Sequence, residues 1–234
     1  MPVLGIMADS DAEASWTPAA LPGLELWLDA SDIATITNVS GFCSQITDKS
    51  GKGRTHVQAT AANQPATGTN QINGLNALQF DGVTDHMTYT WPTVNQPLTI
   101  ASAFKIIVMP AANSRIYGRG TTITNLNLGI ATSGYYYAAT TGRLGGGTGV
   151  SLPHVLVGIF NGASSSMRAD GAVVSSADPG TNGFTVAAAS IGATVAPASA
   201  LNFLLGSLIV TSTALAGTDL TKLEAYLKAK WGTP

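Results

Sequence analysis

The chain has 234 residues, a formal net charge of −2 and charged side chains at only 10% of positions. That balance excludes a broad basic field for nucleic acid or anionic lipid, and the length suits one large β domain or two small ones. A single cysteine, Cys43, rules out an internal disulfide framework and reads as a small buried hydrophobe rather than a reactive thiol.

Residues 1–20 carry acidic and small residues, with Pro18 near their end and Pro22 just beyond, and read as an arm outside the main core. They lack the basic start and long apolar run of a secretory signal, so none is expected. Val3, Leu4, Ile6, Met7 and Trp16 are too few to form a core. They are also more apolar than a solvated tail requires, which suits an arm that docks on a neighbour. A disordered terminus is the alternative.

Leu24 to Asp29 alternates, placing Leu24, Leu26 and Leu28 on one face of a half-buried strand. A loop region follows, with Asp48-Lys49-Ser50-Gly51-Lys52-Gly53-Arg54 as its tightest turn cluster. Residues 59–73 are polar and are placed on the surface. Ala77 to Phe80 is a short strand, Asp81-Gly82 a turn, and Met87 to Trp91 the next strand. Leu98 to Met109 is apolar throughout and bracketed by Pro97 and Pro110, which predicts a mid-sheet strand covered on both faces. Short strands are predicted at 115–117, 126–130, 134–139 and 143–144, then a buried strand at 154–161. Residues 167–174 read as a hairpin about Asp170-Gly171. Strands at 184–191 and 201–210 complete the set.

The chain ends in its one clear helix. Thr218 is the expected cap, and Leu220, Leu223, Leu227 and Trp231 share one face. Glu224 and Lys228 stand at pairing distance along the helix, and Gly232 is the expected stop. No apolar run approaches the roughly 18 residues of a membrane span. Many short strands with one terminal helix predict an all-β protein, two stacked antiparallel sheets with a C-terminal α-helix.

Three segments together resemble a known family. They are Leu21 to Asp32 with its Leu-Trp-Leu-Asp-Ala-Ser-Asp, Asp48-Lys49-Ser50-Gly51-Lys52-Gly53, and Asn73-Gly74 through Phe80-Asp81-Gly82-Val83-Thr84-Asp85. The Leu-rich strand before a helix closing in Lys230-Trp231-Gly232 is also similar. The resemblance is to the laminin-G-like branch of the concanavalin A-like lectin/glucanase superfamily, and it spans residues 21–234. It implies a jelly-roll sandwich. Members include lectins, adhesion domains, glycoside hydrolases and bacteriophage virion proteins. The hydrolases of this fold place Glu-x-Asp-x-x-Glu on one strand, which sets two carboxylates on one face. This chain holds only Glu13, Glu25 and Glu224, none in that pattern, so a non-enzymatic role is expected.

Two candidate sites follow. Tyr135 and Tyr137, if exposed, would stack on sugar rings while Arg115, Arg119 and Arg143 bond hydroxyls or carboxylates; the alternative packs alternate tyrosines in the core. Asp81 and Asp85, with Asp48 and Asn73, are weak candidates for calcium, which some members of the superfamily bind; the alternative is that they form turns. No other cofactor is implied. His56, His86 and His154 have no zinc spacing, no Gly-x-Ser-x-Gly elbow is present, and Gly145 to Gly149 lacks the lysine of a phosphate loop.

Two readings of function result. In one, the chain is a structural or adhesion protein of a bacteriophage particle (head decoration, tail or fibre), made without a signal peptide and joined to sister subunits or other virion proteins through its arm. In the other, it is a lectin-like carbohydrate-binding domain of a surface or secreted protein. The two coexist if a virion protein binds host-surface glycans.

Overall fold

A computed structural model describes residues 16–146 and 152–234, with the side chains of Arg143 and Leu144 outside the description. Its strands, in chain order, are β1 (Leu24–Asp29), β2 (Ile36–Val39), β3 (Phe42–Ile46), β4 (His56–Val57), β5 (Gln71–Ile72), β6 (Leu75–Asn76), β7 (Leu78–Asp81), β8 (Met87–Trp91), β9 (Leu98–Val108), β10 (Ser114–Arg119), β11 (Leu126–Ala131), β12 (Gly134–Ala139), β13 (Gly142–Gly145), β14 (Pro153–Phe160), β15 (Ser166–Ala169), β16 (Ala172–Ser175), β17 (Ala187–Ile191) and β18 (Asn202–Thr211). Helix α1 (Gly217–Trp231) follows.

The strands form two large sheets paired antiparallel throughout. One has seven strands in the order β1-β18-β9-β14-β15-β16, with β7 on β18 beyond the end of β1. The other has nine, in the order β13-β12-β11-β10-β17-β8-β4-β3-β2. Side chains from both sheets, among them Leu26, Phe80, Phe104, Leu128, Tyr137 and Ile191, fill one core between them. The chain is therefore an all-β jelly-roll sandwich with one C-terminal helix. Phe80 and Phe203 stack at 4.9 Å and Trp91 and Phe184 at 4.0 Å, anchoring opposite sheets.

A second apolar layer explains why β9 is apolar on both faces. Ala101, Ala103, Val155, Val157 and Ile209 turn outward from the first sheet and are covered by Leu223, Leu227 and Trp231 of α1. Trp231 lies flat over Gly206, where an added Cβ would sit 2.7 Å from the ring, and its Nε1–H donates to Ser207 Oγ at 2.9 Å. The helix starts at Gly217 with Ala216 as its N-cap, so Thr218 lies inside the helix and caps nothing. Glu224 pairs with Arg168 at 2.6 and 3.0 Å, and Lys228 Nζ donates to the Asp170 carbonyl at 3.1 Å, so the two do not form the expected pair along the helix. Gly232 ends the helix at φ 65°, as expected.

The segments that carry the family resemblance meet beside this helix. Asp48 accepts from the N–H groups of Trp27, Ser50 and Arg54 and from the Ser50 hydroxyl, which fixes the Asp-Lys-Ser-Gly turn. Asp29, 2% exposed, accepts from Lys230 at 2.5 Å and from Ser31 at 2.7 Å, with Lys49 at 3.7 Å. Asn73, at φ 52° in the β5–β6 turn, donates to the Lys230 carbonyl at 3.0 Å. These motifs hold the helix and β1 to the sandwich.

The hairpin β2–β3 was not expected within the region read as loop. Residues 16–20 also differ from the arm expected over residues 1–20. Pro18 is buried, Trp16 packs edge-on against Tyr226 at 5.8 Å, and both join the folded body. No described helix is long and apolar enough to cross a membrane.

Candidate functional site

The expected tyrosine-arginine site does not assemble. Tyr135 and Tyr137 are 2% and 0% exposed, because β12 is covered on both faces and these two point into the main core. Burial raises the Tyr135 phenol above its ordinary range. Tyr135 and Tyr137 pack in the core as the alternative expects, but Tyr136 on the opposite face is also buried, at 4% exposure, and is not the scattered surface ring that reading assigned to it. Arg115 is fully buried and donates to Asn127 Oδ1, Ser190 Oγ and the carbonyls of Gly118, Arg119, Gly120 and Thr122. Burial lowers its guanidinium to about 10. Its donors staple the 118–122 turn over the outer face of the second sheet and leave none for a ligand. Arg119 donates to Thr185 Oγ1 at 2.8 Å, and Arg143 stands opposite Tyr137 on β13.

The calcium expectation at Asp81 and Asp85 is also corrected. Asp81 Oδ1 accepts the N–H groups of Val83, Thr84 and Asp85, and Asp85 Oδ2 accepts that of Asp81. One oxygen of each carboxylate is thus committed to the turn, the role the alternative reading gives these residues. Asp48 and Asn73 are committed elsewhere, to the turn and the helix end described above. No group of three or more metal-binding side chains occurs among the described residues. Gly82 is required here twice over: its φ is +75°, and a Cβ would lie 2.8 Å from Asn202.

The same turn forms one wall of a cleft of about 380 Å³ at the edge where the two sheets meet. The cleft is built by a bridge between sheets. Ala66 pairs with Phe42 at the start of β3 and with Gln79 on β7, the latter through reciprocal 2.9 Å bonds. The left-handed Ser40-Gly41 pair turns the chain so that Phe42 begins β3 with its ring 45% exposed. Ala61 and Ala62 form the facing wall, tied to the Asp81 turn by Thr84 Oγ1 donating to the Ala62 carbonyl at 3.3 Å. Gln64 and Gln79 line the cleft between them, and Gln64 Nε2 is fixed on the Gln58 carbonyl at 2.8 Å. Burial, and then the charge of Asp81, push Asp85 up to about 6.

Phe42, Gln64 and Gln79 were not singled out by sequence. The Ser40-Gly41 dipeptide after Ile36-Thr37-Asn38-Val39 was the available signal for the hairpin. Nothing local announces the bridge through Ala66.

Two other places hold chemistry. A wider groove of about 640 Å³ runs along α1, lined by Trp16, Lys222, Ala225, Tyr226, Ala229 and Lys230. Trp16 is thereby placed on this chain's own helix, while Val3, Leu4, Ile6 and Met7 lie outside the described residues. His154 Nδ1 pairs with Asp170 Oδ2 at 2.7 Å, and no described side chain reaches its buried Nε2. Cys43 is buried, with its thiol pushed up to about 12 by burial, and is inert packing.

No family model and no curated protein matches the chain. Solved structures do match in fold. The Trypanosoma rangeli sialidase in complex with the inhibitor DANA superposes with a TM-score of 0.62 at 16% identity over 88% of this chain. Domain 4 of AbnA, a GH43 extracellular arabinanase from Geobacillus stearothermophilus solved with arabinotriose, gives 0.63 at 11% identity, covering 86% of this chain and 98% of that domain. The botulinum neurotoxin type G receptor binding domain gives 0.59 at 10% identity, covering 91% of this chain and 54% of that one. This chain spans about a third of the sialidase, 33%. At these identities the likeness is one of fold.

Proposed function

We propose that this chain is a non-catalytic, lectin-like carbohydrate-binding module whose sugar site is the Phe42 cleft. The observation that carries the reading is chemical. A half-exposed aromatic ring stands beside two amide side chains and two carboxylates, in a recess wide enough for one or two sugar rings. Sugars are held by this combination, with apolar C–H faces on an aromatic ring and hydroxyls on amides and carboxylates. Similar sandwiches in an arabinanase domain solved with arabinotriose and in a toxin receptor binding domain support the reading at the level of fold. The non-catalytic part is supported by the carboxylates themselves. Asp81 and Asp85 belong to one turn and bond each other's backbone, whereas glycoside cleavage needs two carboxyl groups flanking the bond.

The setting we propose is the outside of an assembled particle, such as a bacteriophage virion, or of a cell surface, with residues 1–15 joining sister subunits into a homo-oligomer or attaching to other virion proteins. What supports it is the neutral, hydroxyl-rich composition and the apolar residues of that segment. The α1 groove beside Trp16, where the described chain begins, also supports it.

The test is an oligosaccharide array, followed by titration of any hit against the native chain and Phe42→Ala. Binding that falls at least about tenfold in the variant at unchanged melting temperature is the expected result. No binding by the native chain, or equal binding by the variant, overturns the reading.

A further inference from the structure

The inference rests on the Phe42 cleft being a sugar site and concerns which sugars it takes. We infer that the cleft selects uncharged and amino-bearing sugars and rejects those that carry a carboxylate, such as sialic or uronic acids.

Recognition of a carboxylate needs a guanidinium, an ammonium or convergent N–H groups. No lysine or arginine lines the cleft; its ionisable lining groups are Asp81 and Asp85. The backbone donors of the Asp81–Asp85 wall are already engaged. The N–H groups of Asp81, Val83, Thr84 and Asp85 all point to the turn's own carboxylates. On the floor, the N–H groups of Ala66 and Gln79 bond each other's carbonyls, and that of Cys43 bonds the Pro65 carbonyl. Gln64 Nε2 donates to Gln58. The Gln79 amide is the one lining side-chain donor with no protein acceptor among the described residues. Acceptors are in excess, since each carboxylate has an oxygen outside these bonds. A recess with many acceptors, few donors and negative charge suits hydroxyl and ammonium groups and repels an anion.

Charge in the cleft also depends on pH. Around Asp85 stand Asp81 on the same turn and His86, whose ring bonds the Thr84 carbonyl and the Gln58 amide. The packed segments 61–67 and 42–46 add no ionisable group except buried Cys43. Asp85 ionises near pH 6 under the burial and Asp81 charge described above. Negative charge in the cleft, and with it the rejection of carboxylate-bearing sugars, is therefore expected to grow from pH 5 to pH 7.

The experiment compares three immobilised oligosaccharide sets on the full chain: neutral hexose and N-acetylhexosamine oligomers, glucosamine oligomers, and sialylated and uronate oligomers. Neutral and amino sets should bind, with the carboxylate set at least about tenfold weaker. Gln79→Lys, which places a cation beside the two carboxylates, should narrow that gap, and the double variant Asp81→Asn with Asp85→Asn should abolish the preference for amino sugars and the pH dependence of carboxylate rejection. Carboxylate-bearing glycans that bind the native chain as well as neutral ones, in a manner that Phe42→Ala weakens, would overturn the selectivity and leave the sugar site standing. Absence of binding to every set, or binding indifferent to Phe42→Ala, would overturn both.

Discussion

Two buried groups with opposite linkage should set the acid stability of this protein. His56 is fully buried; its Nδ1–H donates to the Arg54 carbonyl at 3.0 Å, and its Nε2 accepts from the Tyr117 hydroxyl, 3.1 Å away. The Tyr117 oxygen in turn accepts the Trp91 Nε1–H at 2.6 Å, so the network is complete only with a neutral imidazole. Burial is the main cause that lowers His56 to about 4, offset in part by the Arg54 carbonyl and Asp48. Its stabilising contribution is present above the unfolded value near 6.5 and is lost as pH falls through about 4. The difference of roughly 2.5 pH units corresponds to about 3 kcal/mol. Asp85 works the other way. Its folded value of about 6 lies above the ordinary carboxylate, so its contribution is full below pH 3.8 and lost as pH rises through 6. Discounted for partial contact with solvent, that is about 1–2 kcal/mol. Asp32, held low by Lys49, titrates below this window. Urea unfolding at pH 7, 6, 5 and 4 should thus show a net loss of only about 1–2 kcal/mol in the native chain from these two groups. Asp85→Asn should steepen it toward the full His56 effect. His56→Gln should be less stable at pH 7 and should gain stability between pH 6 and 4. A pH profile of Asp85→Asn that parallels the native one would refute the offset; an acid loss unchanged in His56→Gln would refute the role of the imidazole.

Phe80→Ala, which removes a fully buried ring stacked on Phe203, should cost about 3–5 kcal/mol in denaturant unfolding. Gly206→Ala drives a methyl to 2.7 Å from the Trp231 ring and should cost about 1–3 kcal/mol, with a red shift of tryptophan emission as the helix lifts. A chain lacking residues 1–15 should keep its melting temperature and elute as a smaller species in size exclusion. Removal of residues 1–20 should also lower the melting temperature, because Trp16 and Pro18 pack on the body.

The fold was legible wherever burial is strong and continuous. The apolar run of β9, the Gly134–Ala139 strand and the Asp170-Gly171 hairpin appear where periodicity and turn chemistry place them. The β2–β3 hairpin was missed because β2 is a largely exposed edge strand of Thr and Asn, with little hydrophobic pattern to read. Thr218 failed as a cap because the helix begins one residue earlier, behind an extended Ala216. At the site, alternation correctly put Tyr135 and Tyr137 on one face of β12. Alternation does not say which face is covered, and here both are. The Phe42 cleft depends on contacts from residue 42 to 66 to 79, which no local pattern encodes.

The motifs behind the family resemblance and the residues of the cleft lie at different places and should fail differently. Asp29, Lys230, Lys49 and Asn73 form a node that fastens α1 to the sandwich; of the resemblance segments, Gln79, Asp81 and Asp85 line the cleft. Sandwiches from a sialidase, an arabinanase domain and a toxin superpose on this one at 10–16% identity, so the fold is shared without the sequence that would carry a ligand. Lys230→Met makes the separation measurable. It removes the cation 2.5 Å from a carboxylate that is 2% exposed, while Lys49 at 3.7 Å remains to compensate. The expected loss is about 1–3 kcal/mol, below that of a fully orphaned buried charge. Glycan affinity of the folded variant should stay at the native value, whereas Phe42→Ala should leave unfolding unchanged and weaken binding. If Lys230→Met lowers affinity as much as Phe42→Ala does, the ligand touches the helix side of the molecule, and the cleft is not the site.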